Sequence, residues 1–211
     1  MGQRTAGDLM FERYLAERGF DSPEHEPDLG IGVRPEYLLE RNGHRCLTEV
    51  KEFALESNPI RASGSYSQQQ TLKPIRGQIH NAARKLREAK GLKLPLVVVL
   101  TDPGRALVGL MRPIEIIAAM RGDLTVVASF TGPAQMATGR NGELRNDHPY
   151  VSAVVVIEED FLSGKHRADT FITNSPGAEP LSPVFFTGDG DSLYEYSAQT
   201  ATYVPREFGG Q

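Results

Sequence analysis

PEYLLERNGHRCLTEVK, residues 35–51, decides how the chain is read. Tyr37, Leu39, Cys46, Thr48 and Val50 alternate with Glu36, Leu38, Arg45, Leu47 and Glu49, the period-two pattern of strands. Asn42-Gly43 separates the two runs, and a type I′ turn, which needs positive φ at both central residues, favours that pair. A two-residue turn makes Arg41 face His44. Counting outward, Glu40 opposes Arg45, Leu38 opposes Leu47 and Glu36 opposes Glu49, and Lys51 shares the face of Glu49. Carboxylates directly opposite in a sheet have Cβ atoms about 5 Å apart and repel. A shared proton or a cation relieves the repulsion. Two acids with a neighbouring lysine suit a hard divalent ion with oxygen ligands, Mg2+ first among them. The plain alternative is a frayed strand end at Glu36, with Glu49 and Lys51 solvated as charges on a strand face commonly are.

The 211 residues suffice for one large domain or two small ones, and no linker marks a second, so one domain over 1–211 is expected. Apolar content of 39% and charged content of 24% fit a globular chain. A net charge of −4 means that no global basicity points to nucleic acid. The single cysteine, Cys46, excludes a disulfide framework and suggests the cytoplasm. It reads as a small buried apolar residue. The first residues, MGQRTAGDLMFERYL, lack an apolar signal core, and the longest apolar run, Leu94–Leu100, is too short to span a bilayer.

Thr5–Gly19 reads as a helix with Leu9, Phe11 and Leu15 on its apolar side, a capping start at Thr5 and a stop at Gly19. Glu12 lies at the border of the apolar stripe, where a solvated glutamate is ordinary. A short strand is expected around Glu24–Glu26, and a polar linker over Ala54–Thr71. Ile75–Lys90 reads as an amphipathic helix, with Pro74 in its first turn and Gly91 at its end. Around it lie Arg61, Lys73, Arg76, Arg84, Lys85, Arg87, Lys90 and Lys93, with Glu88 the only acid between Ile60 and Pro95. That is a local basic stripe of the kind that follows a phosphate backbone, or an ordinary solvated helix face. Leu94–Leu100 reads as a doubly buried strand, Pro113–Met120 as a short helix, and Thr125–Phe130 and Val151–Ile157 as strands. A polar, Gly-rich loop is expected before Tyr150. Residues 164–211 read as irregular, with short strands at Thr170–Thr173 and Val184–Phe186.

The order is helix, strand, hairpin with Glu36, Glu49 and Lys51, helix, strand. It resembles the PD-(D/E)XK nuclease superfamily, through Pro35-Glu36 and Glu49-Val50-Lys51 and the surrounding elements, over residues 5–102. The resemblance implies an α/β, single-domain restriction-endonuclease-like fold: a central mixed β-sheet flanked by helices (αβββαβ core), with a C-terminal β-rich extension over 103–211. It implies Mg2+-dependent phosphodiester hydrolysis, with Mn2+ able to substitute and DNA the expected substrate. Glu36, Glu49 and the Val50 carbonyl would hold the metal, with Glu12 as an additional acid. Lys51 would orient the water or stabilise charge on the phosphate. Arg61, Lys73, Arg76, Gln78, Arg84 and Lys85 would contact nucleic acid, Gln78 being otherwise a surface amide. A homodimer would suit cutting both strands. One departure is that Glu36 stands where the family usually has aspartate. The alternative is an inactive nucleic-acid- or protein-binding module on the same fold.

Other chemistry is thin. His25, His44, His80, His148 and His166 show no zinc spacing, and no P-loop or nucleophile elbow is present. Asp189-Gly-Asp191 begins like a calcium loop but lacks the remaining ligands and reads as a turn. Glu52, one residue out of phase with Lys51, is expected to face away.

Overall fold

A computed structural model describes residues 4–53, 68–107, 111–129, 132–144, 147–160, 162–199 and 202–206. Helix α1, Ala6–Glu17, starts as expected. The Thr5 hydroxyl accepts from the Asp8 N–H, and Asp8 accepts from the Thr5 N–H at 2.8 Å, a capping box. Gly19, at φ 67°, supplies the left-handed stop.

The hairpin has the counted register. Strand β1 is Glu24–His25, β2 is Tyr37–Arg41 and β3 is His44–Glu52. Arg41 faces His44, Glu40 faces Arg45 and Leu38 faces Leu47. Asn42 and Gly43 take φ of 53° and 75°, as a type I′ turn requires.

Helix α2 spans Gln68–Leu86 and continues as a 3-10 turn, Arg87–Leu92. It therefore starts about two turns before the expected Ile75 and ends before Gly91. Pro74 lies inside it rather than at its start. The glutamine run consists of good helix formers rather than linker residues, and Leu72 is fully buried in line with Ile75 and Ile79.

Strand β4, Leu96–Thr101, runs parallel to β3. Helix α3, Pro113–Arg121, ends at Gly122. Strands β5, Gly122–Ser129, and β6, Gly132–Asn141, form a separate two-stranded sheet, so the expected polar loop before Tyr150 holds a strand. Strand β7, Ala153–Glu159, runs parallel to β4.

The stretch read as irregular carries three more strands: β8, His166–Ile172, β9, Ser192–Ser197, and β10, Thr202–Arg206. They extend the main sheet to eight strands in the order β1-β2-β3-β4-β7-β8-β9-β10, with β8 and β9 parallel. Val184–Phe186 forms a turn instead of a strand. Phe185 and Phe186 are buried; Phe185 meets Phe20 edge-on, and Phe186 packs at a tilt against Phe11. The described residues thus make an α/β structure of one mixed sheet, a small second sheet and three α-helices.

Alternation along the strands builds a core on each face of the large sheet. Leu47, Val98, Leu100 and Val154 pack under α2 and α3. Cys46, Val50, Val97, Val99 and Val155 pack under α1 and the Phe185 turn. Helix α1 approaches the strand ends closely: a Cβ on Gly7 would lie 2.6 Å from Thr101 Oγ1 and 2.8 Å from Glu52 Cβ. The Gly7 N–H donates to Glu52 Oε2 at 2.7 Å, so Glu52 faces α1, away from Lys51, as its phase predicts. No helix among the described residues is long and apolar enough to cross a membrane.

Candidate functional site

The alternation that puts Cys46 and Val50 under α1 puts Glu49 and Lys51 on the α2 side. There they meet Glu36, just ahead of β2, and Lys85 from the last turns of α2. The Glu49 side chain is fully buried. Its Oε1 accepts from Lys51 Nζ at 2.7 Å and lies 2.9 Å from Lys85 Nζ. Its Oε2 is buried with no hydrogen-bond partner. Glu36 Oε1 lies 4.0 Å from Lys51 Nζ and 3.9 Å from Lys85 Nζ, and Glu36 Oε2 accepts from the Val50 N–H.

Proline explains why the ladder ends short of that N–H. Arg41 and His44 close the two-residue turn as a hydrogen-bonded pair, as do every second pair beyond them, so Pro35 falls opposite Val50. Pro35 has no N–H to give the Val50 carbonyl. The ladder stops at Tyr37, and the neighbouring glutamate takes the Val50 N–H instead.

Two carboxylates and two ammonium groups therefore share one partly buried site. Burial, and then the charge of Glu49, push the Glu36 carboxyl up to about 7, against the lowering effect of Lys51 and Lys85. A folded-state value above the ordinary 4.5 means that the folded chain holds this proton more tightly. The associated stability is full below about pH 4.5 and is lost as pH rises through about 7. Glu36→Gln keeps an acceptor for the Val50 N–H and removes the charge. Urea denaturation of the metal-free protein should show the variant more stable than wild type at pH 8, by up to about 3 kcal/mol, with the gap closing at pH 4.5.

The structure brings together Glu36, Glu49 and Lys51, and adds Lys85, a member of the basic stripe. Glu12 lies elsewhere: it accepts from Arg4 Nε at 2.5 Å and Tyr37 Oη at 3.1 Å, on the α1 face. Tyr37 points opposite to Glu36 along the strand, so the sheet separates Glu12 from the pair. Gln78 donates to the Glu52 carbonyl at 3.2 Å, near the end of β3. Arg76 is half-buried and reaches the Ala118 carbonyl on α3 at 3.4 Å, so it serves helix packing. Lys73 and Arg84 are exposed. Arg61 lies outside the described residues.

The donor set fits a hard cation. Glu49 Oε2 is a buried carboxylate oxygen without a partner, Glu36 Oε1 has only distant lysines, and Val50 offers a carbonyl that Pro35 cannot occupy. No family model, curated protein or solved structure matches the chain.

Proposed function

We propose that this chain is a Mg2+-dependent nuclease acting on DNA, with a restriction-endonuclease-like core and a reactive centre at Glu36, Glu49 and Lys51. The observation that carries the reading is the buried, unpartnered Glu49 Oε2 beside Glu36 and Lys51. Native structures rarely leave a buried carboxylate oxygen unpaired, so such an atom asks for a ligand. Glu36, Glu49 and the Val50 carbonyl would hold the ion. When bound, it would polarise a phosphoryl oxygen and acidify a water. Glu49 keeps the Lys51 ammonium in place through the 2.7 Å contact. Lys51 then meets charge growing on the phosphate, or holds the attacking water by one of its three N–H bonds. Lys73 and Arg84, exposed on α2, supply sequence-independent contacts to the phosphate backbone.

Lys85 favours a second reading. Its ammonium, with that of Lys51, neutralises both carboxylates without any metal. The site would then be a structural ion cluster in a non-catalytic nucleic-acid-binding module. Calorimetric titration of metal-free protein with Mg2+ and Mn2+ separates the two. The nuclease reading expects binding that Glu36→Ala abolishes, and that Lys85→Ala strengthens several-fold by removing a competing cation. No metal binding in wild type or in Lys85→Ala, together with DNA affinity that falls with salt, would establish the second reading.

A further inference from the structure

We propose that His80, Glu143 and His148 form a zinc site, separate from the carboxylate pair, that ties α2 to the segment leading into β7. His80 Nδ1 lies 3.1 Å from His148 Nε2 and 3.3 Å from Glu143 Oε2, and the three ligand atoms all fall within 4.8 Å of one another. Zn–N and Zn–O bonds of about 2.0–2.1 Å in a tetrahedron put ligand atoms about 3.3 Å apart, so two of the three edges already have that length. Two imidazoles and one carboxylate suit Zn2+ better than Mg2+, and three protein ligands leave the fourth position to water.

The surroundings orient these atoms. Tyr150 Oη donates its single proton to the Ala83 carbonyl at 2.9 Å. Toward His148 Nδ1, also at 2.9 Å, the phenol oxygen can therefore only accept. His148 thus carries its proton on Nδ1 and turns a bare Nε2 toward His80. This is the fixed tautomer that a polar partner behind a ligating histidine provides. His148 is buried at 1% exposure, which favours the neutral ring. Glu143 is held by its own backbone: its N–H bonds the Ala119 carbonyl at 3.1 Å, and the Leu144 N–H bonds the Met120 carbonyl at 2.9 Å, both at the end of α3. His80 is 44% exposed and leaves an entry path. Asp147 offsets the charge of Arg87 near His148.

Zinc-free full-length protein is titrated with ZnCl2 by calorimetry with Mg2+ in excess to occupy the carboxylate pair, and its melting is followed with and without Zn2+. The expected result is one Zn2+ per chain and a raised melting temperature. Both should be unchanged in Glu49→Ala, and binding should weaken at least tenfold in His80→Ala and in Glu143→Gln. These two positions are partly exposed, so circular dichroism of the metal-free variants should match wild type. Zn2+ binding that survives both substitutions, or is lost in Glu49→Ala, would overturn the proposal. So would folded wild type that binds no Zn2+, which would mean that the histidines only hydrogen-bond each other.

Discussion

Lys51→Ala is expected to lower the proposed Mg2+-dependent DNA cleavage by about two to three orders of magnitude, the usual cost of losing one group that meets charge in the transition state. The fold should survive. Lys51 is partly exposed, and Glu49 keeps Lys85 at 2.9 Å as a counter-ion, so no carboxylate is left buried and uncompensated. Glu49→Ala should remove cleavage as fully, for another reason: it takes away the unpartnered oxygen that would ligate the ion. Calorimetry distinguishes the two roles, since metal binding should persist in Lys51→Ala and vanish in Glu49→Ala. Turnover of a supercoiled plasmid at saturating Mg2+ and Mn2+ is the measurement. A clean Lys51→Ala preparation that cuts at the wild-type rate would remove Lys51 from the chemistry.

Asp191→Ala should cost about 3–5 kcal/mol of stability, the range for breaking a buried ion pair from one side. Asp191 is the residue that began like a calcium ligand in the sequence. Its side chain is fully buried, and Arg18, 11% exposed, grips it with Nε at 2.7 Å and Nη2 at 2.8 Å. The Ala168 N–H donates to the same carboxylate at 2.8 Å. One side chain thus fastens the end of α1 to β8 and the start of β9. Asp191→Ala takes the carboxylate from the guanidinium, which keeps only the His166 and Asp189 carbonyls, and leaves the Ala168 N–H without its acceptor. Urea denaturation should show the lowered midpoint, and Arg18→Met combined with Asp191→Ala should cost less than the sum of the single changes, because the two act as a pair. A loss below about 1 kcal/mol would mean that the pair behaves like an exposed one.

Asp191 also shows where local pattern ends. Within its own stretch it has only turn residues for neighbours, and nothing there announces an arginine on the first helix. The same holds for Lys85. Along the chain it is one of a run of basic residues, and only the path of α2 across β3 brings its ammonium to Glu49. His80, Glu143 and His148 have no shared spacing to notice. They meet because α3 holds Glu143, Tyr150 orients His148, and α2 carries His80 to them. Glu12 fails in the opposite way: it sits at a plausible helix position but on the face of the sheet that Tyr37 occupies. The C-terminal strands carry little local signal because β9 is half-buried, β10 is mostly exposed, and each finds its stability in the strand beside it, β8 and β9 respectively, rather than in its own periodicity.

What the chain states locally, it states well. Asn42-Gly43 sets the turn, the turn sets the register, and a strict period of two then obliges Glu36, Glu49 and Lys51 to share a face. The capping box at Thr5 and the buried run in β4 are equally local, because their hydrogen bonds and burial follow from residues within a few positions. Tertiary structure decided which helix covers that face, which cations answer the two carboxylates, and whether distant histidines meet. Those outcomes depend on contacts between segments far apart in the chain, whose energies no local periodicity records.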